Sequence, residues 1–319
     1  MNPPSRSAEP PVDDRRLAVI GFGEAGRILA GGIKASGRFD VSAYDILVHD
    51  RAARAAMLAA AAERGVAMTE THRAAIAGAR IIVSAVTAGA STDVAREAAA
   101  SLVPGQLFAD INSVSPGTKR RNAQLIEQAG GHYVDVAVMA PVPPYGLAVP
   151  ILLGGAKAAD LAARLAPAGM RLEVVADDVG TASAIKMCRS VMIKGMEALV
   201  VECLLGARHY GVEDRVLASL DETFPQMKWD ERADYLVSRV VVHGRRRAAE
   251  MREVAVTLAE AGLEPFMASA TARCQDHVAD LSDAAARERA TRKDFSWRAF
   301  ADALTQVEPI DVDPSAARA

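Results

Sequence analysis

The feature that most limits how this chain can fold is a regular alternation, lasting to Gly180 and then stopping. Short apolar runs occur at Leu17–Ile20, Asp40–Tyr44, Val66–Met68, Arg80–Val86, Gln106–Ile111, Tyr133–Val138, Pro150–Gly154 and Leu172–Val175. Helix-like stretches lie between them at Glu24–Ser36, Arg51–Arg64, Ser91–Leu102, Pro116–Ala129 and Ala158–Ala166. Strands buried on both faces read as continuous apolar runs, and strand–helix alternation implies βαβ units around a parallel sheet. Residues 16–179 are therefore predicted to form a doubly wound, mainly parallel α/β domain. Beyond Gly180 the pattern holds only helices, at Thr181–His209, Glu213–Thr223, Trp229–His243, Arg245–Ala261 and Pro265–Asp280. The first of these would run about 45 Å at the helical rise. Residues 180–319 are predicted to be an all-α C-terminal domain, and the proline-rich residues 1–15 a disordered tail.

Composition narrows the class. Half of the 319 residues are hydrophobic, enough for two domains with cores of their own. A net charge of −3 argues against nucleic acid or an anionic membrane as partner. The N-terminus lacks the apolar core of a signal peptide, and no apolar run approaches the roughly 20 residues that span a bilayer. Three cysteines, Cys188, Cys203 and Cys274, are widely spaced with no C-x-x-C pair. That speaks against a disulfide framework or a structural metal site and fits a cytoplasmic protein.

At the first strand–helix junction the chain reads Gly21-Phe22-Gly23-Glu24-Ala25-Gly26, a G-x-G-x-x-G pattern. The first glycine permits the tight turn, the second admits a pyrophosphate to the backbone, and the third lets helix and strand pack closely. The helix N-terminus then offers free N–H groups and a partial positive charge to the phosphates. Position after the first strand and before a helix makes this a dinucleotide site rather than a plain glycine turn. Asp45 ends the second strand, 19 residues after Gly26. A carboxylate there accepts from a ribose and repels a 2′-phosphate, which favours NAD, although Asp also starts turns. Arg51 nearby leaves NADP open. Val86 and Thr87, after the strand from Arg80, complete the residues assigned to the cofactor.

Three further segments sharpen the picture. The run from Gln106 continues as D-I-N-S-V-S-P, Asp110–Pro116, a later segment reads Gly180-Thr-Ala-Ser-Ala-Ile-Lys186, and the last third is helical. In this order the chain resembles the β-hydroxyacid dehydrogenase family, which includes 3-hydroxyisobutyrate and 6-phosphogluconate dehydrogenases, over nearly all of residues 17–300. The resemblance implies a Rossmann domain, then a helical domain that packs against a partner subunit as a homodimer. It implies a substrate loop at Asp110, Asn112, Ser113 and Pro116, with Asn112 where Ser is usual; the alternative is that Asn112 and Ser113 only cap the next helix. It also implies that Lys186 is the catalytic lysine. The family's Asn pair falls on Arg189 and Ser190; Arg189 suits either an anion or a structural ion pair. The family's D-A-P-V-S-G-G falls on Asp135–Pro141, where Met139, Ala140 and Pro141 replace Ser and both glycines. Met139 and the prolines beyond it are expected to line a different pocket. The stretch His243–Glu253 (HGRRRAAEMRE) departs from the usual members; His243 is a substrate candidate, against the plainer reading of a solvated charged helix.

The leading expectation is an NAD(P)-dependent oxidoreductase that interconverts an alcohol and its carbonyl on a small, acidic substrate, with Lys186 as general acid/base. An imine reductase shares the architecture, but such enzymes commonly lack this lysine. A redox sensor that binds a dinucleotide without chemistry would need neither Lys186 nor the Asn112–Ser113 loop.

Overall fold

The computed structural model describes residues 11–305, which divide into two compact units. The first takes in the residues up to Cys188 together with Val256–Leu263; the second takes in Arg189–Ala255 and the residues from Glu264 on. Secondary structure changes character at Gly180, eight residues before the units divide.

The first unit is built on eight strands, β1 Asp13–Ile20, β2 Asp40–Tyr44, β3 Ala67–Met68, β4 Ala79–Ser84, β5 Leu107–Asp110, β6 His132–Val138, β7 Pro150–Gly154 and β8 Arg171–Ala176. They form one sheet in the order β3-β2-β1-β4-β5-β6-β7-β8, parallel except where β7 runs antiparallel to β6. Helices α1 Glu24–Ala35, α2 Arg54–Glu63, α3 His72–Ile76, α4 Ser91–Ala99, α5 Pro116–Gln128, α6 Val142–Tyr145 and α7 Ala158–Leu165 connect them. Side chains alternate across each strand. Leu17 and Val19 pack with Leu29, Ile33, Leu161 and Leu165 of α1 and α7. Ala18 and Ile20 pack on the other face with Ile76, Ala95 and Ile126 of α3, α4 and α5. Both faces being covered is why Leu17–Ile20 of β1 reads as an unbroken apolar run. The order reverses between β1 and β4, so a crevice opens at the carboxyl ends of these neighbours, where open α/β sheets bind ligands.

The first strand starts earlier than the expected tail allows. Asp13–Arg15 belong to β1, with Asp13 N–H donating to Gly78 O at 2.9 Å. Asp14 draws the guanidinium groups of Arg80 (2.7 Å) and Arg164 (3.2 Å). Ion pairing, not apolar content, holds this end, so its charges hid the strand. The remainder of the expected tail, residues 1–10, lies outside the described residues.

Past the sheet come α8 Thr181–His209, α9 Glu213–Thr223, α10 Trp229–Glu260, α11 Phe266–Leu281, α12 Ala284–Ala290 and α13 Trp297–Thr305. The second unit's core gathers Val201, Leu204, Val237, Val240, Val241 and Trp297. A helix break expected at Gly244 is absent. A Cβ there would lie 2.6 Å from Gln275 O of α11, so the glycine permits close helix contact within an unbroken α10.

Candidate active site

The row of strand ends places the site. Tyr44, Ile20, Ser84, Asp110 and Asp135 stand side by side across β2, β1, β4, β5 and β6. The loops that follow these strands carry most of the residues singled out by the sequence.

The three glycines differ in what surrounds them. Gly21 has φ +92°, and a Cβ on it would sit 2.4 Å from Ala85 O. A Cβ on Gly26 would sit 2.0 Å from Gly21 O, so α1 closes directly onto the turn. A Cβ on Gly23 would meet nothing within 4 Å. Two glycines are thus demanded by the fold, and the third stands at open space where a phosphate can approach. Phe22 buries its ring in the core and donates its N–H to Asp45 Oδ2 at 2.7 Å. Asp45 Oδ1 accepts from Leu47 N–H at 3.0 Å. Asp45 therefore ties the glycine loop to the end of β2 and starts a turn as well; a carboxylate has further lone pairs for a ribose. Glu24 is exposed on the first turn of α1, and Ala25 is half-buried behind it.

Asn112 is buried, and its side chain is spent within the protein. Its Oδ1 accepts from Val86 N–H at 2.7 Å, and its Nδ2 donates to Ser84 (2.9 Å) and Ser91 (3.3 Å). It fixes the Val86–Thr87 loop against the loop after β5. Ser113, next along, is half-buried, and its Oγ accepts from Lys186 Nζ at 2.6 Å. The helix after this loop is capped by Ser115, whose Oγ accepts from Thr118 N–H at 3.2 Å. The loop residues thus divide the work: Ser115 caps α5, Asn112 braces a neighbouring loop, and Ser113 meets the lysine.

Beneath them lies a buried polar network that sequence reasoning missed. Lys119, fully buried, donates to Asp110 O at 2.6 Å, with Asp110 Oδ1 at 3.2 Å and Asp135 Oδ1 at 3.5 Å. Tyr133 donates its hydroxyl to Asp110 Oδ2 at 2.6 Å; burial and that carboxylate push its pKa up, so the hydroxyl keeps its proton. Asp135 accepts from Gly180 N–H (3.1 Å), Ser183 N–H (3.0 Å) and Ser183 Oγ (2.5 Å). A buried ammonium between two carboxylates is tolerable only when each is also hydrogen-bonded, as here. The effect is to pin the first turn of α8, the turn that leads to Lys186. The signal was present in α5: Lys119 and Asn122 share the buried face with Pro116 and Ile126, and a polar residue on an apolar stripe needs a partner.

The remaining candidates make contacts of their own. Met139 is half-buried after β6, its N–H donating to Pro150 O at 2.9 Å. Arg189 is exposed, and Ser190 is buried, accepting from Lys194 Nζ at 3.2 Å. His243 is half-buried on α10 beside Arg239. Arg189, Ser190 and His243 belong to the second unit.

Comparison with known proteins agrees with this geometry. Residues 16–168 match the model of the NAD binding domain of 6-phosphogluconate dehydrogenase, and residues 207–278 match a domain of unknown function, DUF1932. A conserved hypothetical protein from Sinorhizobium meliloti is 41% identical, covering 92% of this chain and 97% of its own, with a TM-score of 0.70. A conserved protein of unknown function, described as structurally similar to 3-hydroxyacid dehydrogenases, is 33% identical, covering 83% and 97%, with a TM-score of 0.66. The 3-hydroxyisobutyrate dehydrogenase of Mycobacterium tuberculosis is 18% identical over 91% and 99% at a TM-score of 0.63, a likeness of fold. The first unit is thus an NAD(P)-binding domain, and the open backbone at Gly23 fits the cofactor's phosphates. The chain belongs to the family of 3-hydroxyacid dehydrogenase-like proteins that join this NAD-binding domain to a DUF1932 helical domain.

Proposed function

We propose that the protein is an NAD(P)-dependent dehydrogenase acting on a CH–OH group, interconverting a β-hydroxyacid-like alcohol and its carbonyl. The observation that carries this reading is Lys186 Nζ at 2.6 Å from Ser113 Oγ, on the helix whose first turn is pinned by Asp135. A bound nicotinamide supplies the hydride acceptor for oxidation and the donor for reduction. The chain's own residues handle the proton. Lys186, as the free amine, takes the hydroxyl proton when the alcohol is oxidised and returns it on reduction. Ser113 aims the amine and offers its hydroxyl to the substrate oxygen. Asn112 acts through Val86, holding the cofactor loop and the substrate loop in fixed relation. Asp45 would accept from the ribose of a bound cofactor and repel a 2′-phosphate, which favours NAD over NADP.

Nicotinamide absorbance, followed over a panel of β-hydroxyacids and of cyclic imines, tests the reaction. The expected result is alcohol-dependent reduction of NAD, with weaker use of NADP. Turnover of imines alone would replace this reading with an imine reductase. Cofactor binding with no turnover of either class would point to a sensor.

A further inference from the structure

The arginine-rich stretch from His243 has no part in the proposed proton transfer, yet much of it is not a solvated surface. Arg247 is 7% exposed and pairs through Nη1 with Glu197 of α8, itself 3% exposed. Lys194, 8% exposed, lies 2.9 Å from Glu250 Oε2. Arg246 Nη1 donates to the other oxygen of Glu250 at 2.6 Å. Arg239 Nη1 stands 3.0 Å from His243 Nε2. An arginine can only donate, so His243 accepts at that nitrogen and is neutral. Burial, then the charges of Arg239, Arg246 and Arg247, push its pKa down to about 4.

Charge does not balance in this cluster. Among the described residues, Lys194, Arg239, Arg246 and Arg247 face two carboxylates, Glu197 and Glu250, which leaves two positive charges over. Buried Lys194 and Arg247 are matched by Glu250 and Glu197, so the excess lies on half-buried Arg239 and on Arg246, whose side chain is 57% exposed, and it is at Arg239 that a counter-charge is most needed. A second observation points the same way. The Nε atoms of Arg239 and Arg247 are both buried and meet no acceptor among the described residues. A guanidinium with an unused N–H edge is suited to bidentate recognition of a carboxylate or phosphate.

We propose that Arg239, Arg246 and Arg247 form a binding site, within the helical unit, for a doubly charged oxyanion, either a dicarboxylate or a phosphate monoester. The dianion cancels the two surplus charges, and the idle Nε–H groups donate to its oxygens. Its arrival relieves the repulsion from the arginines that adds to burial in keeping His243 neutral. The site does not depend on hydride transfer; a substrate's acid group and a separate effector are alike able to fill it.

Calorimetric titration of the full chain with inorganic phosphate and with malonate, in low-chloride buffer, tests the site directly. One saturable site per chain is expected for at least one probe. Preference for phosphate or for malonate identifies the headgroup. Arg239→Gln should weaken binding tenfold or more, while Arg245→Gln, whose exposed side chain pairs with Asp276 and Asp280 instead, should change it less than twofold. The His243 pKa, followed by NMR, should rise by a unit or more at saturation. Both variants are to be checked for a native thermal transition. Absence of saturation by either anion at about 10 mM, tenfold above a millimolar Kd, would overturn the proposal. Equal loss in Arg245→Gln would do the same, by showing only diffuse charge. A catalytically silent protein that still binds the anion would refute the dehydrogenase reading and leave this one standing.

Discussion

Single residues decide whether the glycine loop serves the fold or the ligand. Gly23→Ala adds a methyl that meets no protein atom, at a backbone φ of −68° open to any residue. Its stability should move by no more than about 1 kcal/mol, the scale of a compatible Gly→Ala change, while cofactor affinity falls at least tenfold. Gly26→Ala collides with Gly21 O and should destabilise the protein outright. Urea unfolding and fluorescence titration, run on both variants, separate the two roles. The pattern of three glycines was legible in the sequence; which one faces open space was not, because that depends on where Ala85 and Gly21 O come to lie. His72 is the opposite case, a residue with no sequence signal. It is 1% exposed, neither ring nitrogen has a partner among the described residues, and burial lowers its pKa to about 4. The unfolded chain binds this proton near 6.5, so stability is full above that pH and drains away as pH falls toward 4. The loss at pH 4.5 should be about 2–3 kcal/mol, since each pH step below the unfolded value costs roughly 1.4 kcal/mol. Urea midpoints at pH 7 and 4.5 should differ less in His72→Phe than in the parent, since only the parent carries this proton uptake.

At the scale of elements, the decisive contact is between β6 and the start of α8. Asp135 holds two backbone N–H groups and a hydroxyl of that helix and faces buried Lys119. Asp135→Ala strips a buried ammonium of one of its two carboxylates and should cost about 3–5 kcal/mol. Asp135→Asn should cost less and still slow turnover, because the amide keeps an acceptor for α8 but not the charge facing Lys119. Chemical denaturation alongside kcat at saturating cofactor distinguishes these effects. Most elements were legible from apolar period, because both faces of the sheet are covered. Thr181–His209 and Glu213–Thr223 were legible to the residue. Those that were not had a physical reason: the Asp13–Arg15 end is held by ion pairs, α3 and α6 are too short to show a period, and Gly244 is a contact rather than a stop. The Asp110–Lys119–Asp135 network was harder to read, because it forms only when the β5–β6 register sets Asp110 beside Asp135 and α5 packs Lys119 against both.

For the whole molecule, the helical half keeps apolar side chains that its own core does not use. Val200 and Leu204 are buried, whereas Met192 (65% exposed), Leu199 (58%), Phe266 (73%) and Met267 (53%) are not. We propose that a second copy of the chain covers these side chains. Light scattering at micromolar concentration should give twice the chain mass, and Leu199→Glu should shift it toward the monomer. A monomeric parent would refute the idea. Among the described residues no helix is long and apolar enough to cross a membrane. The identity of the fold was legible from the ordered motifs at Gly21–Gly26, Asp110–Pro116 and Gly180–Lys186. The substrate was not, because Met139, Ala140 and Pro141 replace the residues by which the family resemblance would have named it.

The role proposed for Lys186 is to move the proton that accompanies hydride transfer. Its most direct test is Lys186→Ala, measured as turnover on an alcohol the parent oxidises well, beside cofactor affinity on the same preparation. Turnover should be lower by about 10² or more, the usual scale for losing a general base, with cofactor affinity within twofold of the parent. Turnover within threefold of the parent would contradict it and remove Lys186 from the chemistry.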